Sequence, residues 1–165
     1  MTYEETDTML RLMRLNWPKA PMFTQTEYGT LVELWALCLM HISHAVAQVA
    51  LVDICRTCKY PPTIAEFCAA ANVVAEKLSA EAEDAYDTLR WVLPRTQRDG
   101  ATHSKIYASL SRKTRLALDA MGGLEAFAPA DSLGYNYSGF IRAYQREALQ
   151  ALSPLPPLAV EAEGR

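Results

Sequence analysis

The sequence predicts an all-α fold, and three observations carry that prediction. Helix-start signals recur: Thr2 with Glu5, Thr24 with Glu27 and Thr63 with Glu66 each have the Thr-x-x-Glu spacing of a capping box. Apolar residues return at intervals of three and four, the period of one helix face. No segment shows the sustained alternation of a half-buried strand.

Thr2 and Glu5 open a first helix that sets Met9, Leu10, Met13 and Trp17 near one face. Trp17-Pro18 and Pro21 are expected to stop it, because proline lacks an N–H and its ring clashes with the preceding turn. Thr24 with Glu27 is expected to cap a second helix. Its stripe is Leu31, Leu34, Trp35, Cys38 and Leu39, a full core-facing face. Ser43 starts a third, with Val46, Val49, Ala50 and Ile54. Two adjacent prolines, Pro61 and Pro62, end it. Thr63 and Glu66 cap a fourth, with Ile64, Phe67, Cys68, Ala71, Val74 and Leu78 inward. These four helices form an expected compact N-terminal unit over residues 1–78.

A smaller helical C-terminal unit is expected over 79–152. Ser79 is read as the cap of a helix presenting Ala82, Tyr86, Leu89 and Val92, ended by Pro94. Arg95 to Thr102 reads as a polar loop with Asp99-Gly100 as its turn. A short helix over Lys105–Leu110 follows. Ser111 caps another that carries Leu116, Leu118 and Met121 and stops at Gly122-Gly123. Ala128 to Gly134 reads as a loop, and Ser138 begins a last helix with Phe140, Ile141, Tyr144 and Leu149. From Ser153 the prolines at 154, 156 and 157 predict a flexible tail, residues 153–165.

Composition narrows the classes. The chain has 165 residues, 50% of them hydrophobic, enough to build a core. The longest apolar stretch, Leu31 to Ile54, is broken by Glu33, His41, Ser43, His44, Gln48 and Asp53, so no bilayer span is expected. The acidic start, Met1-Thr2-Tyr3-Glu4-Glu5, lacks the basic opening and apolar centre of a signal peptide, and the expected compartment is the cytoplasm. Four cysteines (Cys38, Cys55, Cys58, Cys68) in helical contexts read as reduced thiols.

Charge is unevenly spread. Residues 1–89 carry 6 Lys/Arg against 12 Asp/Glu, and residues 90–165 carry 10 against 7, giving −6 and +3 of the total −3. The basic excess lies in Arg90, Arg95, Arg98, Lys105, Arg112, Lys113 and Arg115. These are candidate contacts to a partner or to nucleic-acid phosphates. Tyr135, Tyr137 and Phe140 are candidate interface anchors, since exposed aromatics concentrate at interfaces.

No catalytic constellation is legible. There is no phosphate-binding glycine loop, no G-x-S-x-G, and no carboxylate pair apart from an acidic face of Glu81, Glu83, Asp84 and Asp87. Cys55-Arg56-Thr57-Cys58 is a single CxxC, whereas structural zinc takes four protein ligands. His41 and His44 have no accompanying metal motif. The chain is therefore expected not to be an enzyme and to need no cofactor or metal. Trp35, Pro61, Pro62, Thr63 and Glu66 read as structural residues.

With these features assembled, the first 78 residues resemble the replicative-helicase loader and inhibitor proteins of phages and prophages from Gram-positive bacteria. The resemblance rests on the Thr-x-x-Glu helix ending at Asn16-Trp17-Pro18, on Leu34-Trp35-Ala36, and above all on Tyr60-Pro61-Pro62-Thr63-Ile64-Ala65-Glu66. It implies a non-enzymatic DNA-replication adaptor in the host bacterial cytoplasm. Such an adaptor binds the hexameric replicative helicase, keeps it inactive and delivers it to an origin-bound initiator. Nucleic-acid affinity is then at most weak. The alternative is a small phage DNA-binding or replisome-organiser protein that uses the basic helical surface.

Overall fold

A computed structural model describes residues 1–98, 103–124 and 136–152, and all regular structure among them is helical. The elements are α1 (Tyr3–Asn16), α2 (Pro21–Thr24), α3 (Tyr28–Leu39), α4 (His44–Thr57), α5 (Ile64–Arg98), α6 (His103–Ser109), α7 (Arg112–Ala120) and α8 (Tyr137–Leu152).

Most starts follow the local chemistry. Thr2 and Glu5 close a reciprocal capping box on α1. The Ser43 hydroxyl accepts from the Val46 N–H, and the Ser111 hydroxyl accepts from the Thr114 N–H. At α5, the Thr63 N–H donates to the Glu66 carboxylate (2.7 Å) and the Glu66 N–H donates to the Thr63 hydroxyl (3.2 Å). The Thr63 N–H and, less so, the Thr63 hydroxyl (2.9 Å) both donate to the Glu66 carboxylate and hold it below the usual carboxylate range. At the other end of α7, Gly122 and Gly123 take φ of 98° and 87°, which side chains disfavour. The Gly123 N–H returns to the Leu118 carbonyl.

Several boundaries differ from expectation. Pro21 does not merely stop α1; it occupies the first turn of α2, where a missing N–H costs nothing. Thr24 therefore ends α2, its hydroxyl donating to the Ala20 carbonyl. Glu27 caps α3 without a side-chain bond, so the Thr24/Glu27 capping box does not form. Ser79 starts no helix either. With no Gly or Pro from Ile64 to Leu93, α5 runs straight through it as 35 residues, about 52 Å at 1.5 Å per residue. Nor does Pro94 end α5, which makes one more turn to Arg98. The turn at Asp99-Gly100, the loop at Ala128–Gly134 and the tail 153–165 lie outside the described residues.

Two buried clusters share this one helix. The first joins α1 to α4 with the start of α5 around Met9, Leu10, Met13, Trp35, Leu39 and Phe67. Trp35 meets Phe67 edge-on at 5.6 Å between ring centroids. The Trp17 indole N–H donates to the Lys59 carbonyl (3.2 Å), tying the end of α1 to the proline turn. The Tyr28 hydroxyl, pushed up to about 12 mainly by burial and by Asp7, donates to the Asp7 carbonyl across α1 and α3. The second cluster joins α5 from Leu78 onward to α6, α7 and α8 around Tyr86, Leu89, Leu118, Phe140 and Tyr144. Each large buried side chain contributes about 1.5–3 kcal/mol. Val46 and Val74 pack against both clusters, and α8 also touches α4.

Two outcomes follow from this architecture. Ala80→Pro, at an exposed position in the middle of α5, is expected to cost about 3 kcal/mol or more. A loss well below that in a urea titration would contradict the continuous helix. Thr63→Ala is expected to cost about 1 kcal/mol. Because the Glu66 carboxyl is depressed in the fold, its contribution is present above the unfolded carboxylate range and fades as pH falls through the folded value. Thr63→Ala keeps the backbone N–H bond, the larger cause, so it should flatten that part of the acid limb of a stability–pH curve only partly, whereas Glu66→Gln should remove it.

Candidate partner-binding surfaces

The basic residues do not form one stripe. Lys113, at the start of α7, donates to the Glu81 carboxylate of α5 at 2.8 Å, and both side chains are 35% exposed. That bond raises the Lys113 ammonium above its ordinary value. Arg115 lies over the Tyr107 ring at 5.8 Å, while the Tyr107 hydroxyl donates to Asp119 and is itself pushed up by that bond. These two cations thus brace α5, α6 and α7 against one another. Arg90, Lys105 and Arg112 are exposed on three different helices. Arg95 and Arg98 lie in the last turn of α5, with side chains outside the described part; Tyr135 lies outside it altogether.

Tyr137 is 41% exposed, but its ring packs edge-on against Tyr86 at 4.9 Å and its hydroxyl reaches Glu83 at 3.5 Å. It fastens α8 to α5 while leaving an edge to solvent, whereas Phe140, the third expected anchor, is fully buried in the C-terminal cluster and is core. Trp35 and Pro62 are buried, Pro61 is half-buried, and Thr63 and Glu66 form the α5 cap, so this group is built into the scaffold. Among the described residues, no three His, Cys, Asp or Glu side chains come together in a metal-like group. A cleft of about 390 Å³ lies where α4, α5, α7 and α8 meet. It mixes Val52, Val74 and Leu152 with Asp53, Arg56 and Lys77.

Sequence reasoning missed the most apolar open surface. Leu34, expected in the core, is 51% exposed; farther along, Leu37 and the C-cap residue Met40 are each 70% exposed. With Met1, Tyr3, Glu33 and Ala36, Leu37 and Met40 line an open groove between α3 and the start of α1, also about 390 Å³. The signal was present: α3 carries one charged residue in twelve and is apolar nearly all round, so burying one face leaves greasy residues on the other.

Residues 1–68 match the family model for the N-terminal domain of the phage helicase loader and inhibitor proteins, the family that the sequence resembles. No curated protein and no solved structure matches the chain. The match covers α1 to α4, the proline turn and the first turn of α5. The rest of α5 and α6 to α8 lie beyond it. Among the described residues, no single helix is long and apolar enough to cross a membrane.

The bracing role of Lys113 sets an expectation. Lys113→Ala should lower stability by about 0.5 kcal/mol, the modest value of a part-exposed ion pair, whereas Arg112→Ala should leave it unchanged. Equal effects in denaturant melts would show that the Glu81 contact carries nothing.

Proposed function

We propose that this protein is a non-enzymatic adaptor of phage DNA replication. It binds the hexameric replicative helicase, holds it inactive and hands it to an origin-bound initiator in the bacterial cytoplasm. The observation that carries this reading is the family match over residues 1–68, on a domain whose marker, Pro61-Pro62 with the Thr63/Glu66 cap, is built as the sequence implies. The general role of helicase loader and inhibitor comes from that match; the handover and the identity of the initiator are our extension of it.

The physical organisation suits an adaptor. Candidate contacts lie on different parts of the surface: an apolar groove on the N-terminal cluster, and exposed Arg90, Lys105, Arg112 and Tyr137 on the C-terminal one. Two partners can then be held at once. The DNA-binding alternative draws less support. Lys113 and Arg115, central to the basic stretch, already serve Glu81 and Tyr107. A dispersed set of exposed cations gives weak, salt-sensitive phosphate attraction.

The protein is expected to co-elute with the helicase from the same genome in size-exclusion chromatography and to lower its ATP-dependent unwinding. On its own, at physiological salt, it should shift DNA weakly and without sequence preference. Tight sequence-specific DNA binding with no helicase complex, with or without nucleotide, would refute the proposal and favour the DNA-binding alternative.

A further inference from the structure

The geometry points to the α1–α3 groove as a docking site for an amphipathic helix with a basic flank, supplied by a partner protein. This goes beyond the family reading, which assigns no ligand to this face, and stands without it.

Shape argues for a helix. On α3 the groove is lined by Glu33, Ala36, Leu37 and the C-cap residue Met40, at i, i+3, i+4 and i+7, a face about 10 Å long at 1.5 Å per residue. Met1 and Tyr3, at the start of α1, complete the lining. A helix laid between α1 and α3 would present its own apolar residues at intervals of three and four, the usual helix-in-groove arrangement. Size argues the same way. Six residues line the groove, whereas a stable interface between folded domains takes about 20–30 a side. A single helix fits that footprint; a second copy of the whole chain would need far more.

Charge selects the flank. Residues 20–55 contain no Lys or Arg and include Glu27 and Glu33, while Asp53 lines the other cleft beside Arg56 and Lys77. At the start of α1 Glu4 is exposed, whereas Glu5 closes the helix cap and Asp7 is paired with Arg11 at 2.9 Å. Glu33 stands in the groove wall itself and is exposed. The Met1 amine at the edge is engaged, donating to the carbonyls of Leu39, Met40 and Ile42 at 3.3, 3.2 and 2.7 Å. An acidic helix would meet like charge here, while Lys or Arg on the flanks of the incoming helix would meet Glu33 and the acidic start of α1. The same acidity works against an anionic lipid surface as the occupant.

The test uses the full chain and two synthetic helical peptides with one shared Leu face, flanked by Lys in one and by Glu in the other. Methyl and amide NMR shifts are followed during titration. The Lys peptide is expected to bind saturably, with shifts centred on Tyr3, Ala36, Leu37 and Met40, and the Glu peptide is expected not to bind. Leu37→Ser with Met40→Ser should weaken the Lys peptide at least about tenfold. These positions are exposed, so the variant should keep the wild-type melting curve. Glu33→Lys should also weaken the Lys peptide and narrow its advantage over the Glu peptide. Shifts scattered over the acidic surface and indifferent to Leu37→Ser would overturn the proposal. So would a dimer in sedimentation, or binding to anionic vesicles, that Leu37→Ser abolishes. Helicase co-elution is read separately: a helicase complex that survives Leu37→Ser with Met40→Ser leaves the adaptor reading standing, whatever the peptides show.

Discussion

The structure depends on α5 being one helix. Its first turns close the N-terminal cluster through Phe67 and Ala71, and from Leu78 onward it supplies a wall of the C-terminal cluster. A rigid rod that belongs to both cores leaves no linker at the expected 78/79 boundary. Movement of one unit relative to the other would have to bend α5, and would also separate α8 from α4 and Val46 of α4 from the C-terminal cluster. The helix owes its length to what is missing from the sequence: thirty residues without Gly or Pro, after a cap that fixes where it begins. The Pro61-Pro62 turn sets its direction, and the Trp17–Lys59 bond holds that turn against α1.

What the sequence made legible was mostly local chemistry. Thr2, Ser43, Thr63 and Ser111 all cap helices, because a short hydroxyl just before a helical run has orphan N–H groups within reach. The failures come from competition between signals. Thr24 has the spacing of a cap, but Pro21 nucleates a short helix that claims it first. Ser79 has the identity of a cap, but a cap needs a non-helical residue before it, and nothing upstream breaks the helix. Its hydroxyl instead accepts a bond from Gln145 of α8. Pro94 shows the reverse error, since a proline near the end of a long helix removes one bond without stopping the last turn.

The candidate surfaces were harder to read, for a reason that is three-dimensional. A run of charges along the sequence gives no hint of which members will meet a partner inside the fold. Lys113 and Glu81 are far apart in the chain and touch in space, and Arg115 reaches Tyr107 only because α6 and α7 fold back on each other. The apolar stripe of α3 posed the opposite problem. Five positions at helical spacing look like a core face, but the helix is apolar on every side and periodicity alone cannot choose which face goes in. Trp35 decides it. The largest side chain turns toward Phe67, and Leu34, its neighbour in the chain, is carried outward.

That choice has a consequence for the whole molecule. Exposed Leu37 and Met40 beside Tyr3, with half-exposed Leu34 near them on α3, cost solubility and contribute little to folding, since water still contacts most of their surface in the folded chain. The cations of the C-terminal unit show the contrasting arrangement, with Lys113 and Arg115 both engaged within the fold. Arg90, Lys105 and Arg112 nevertheless stay exposed, on three separate helices. A strong phosphate-binding surface would need such cations gathered on one face, and here they are dispersed. The open apolar groove therefore supports the proposed protein-bridging reading by its own chemistry, and not through any lack of exposed cations.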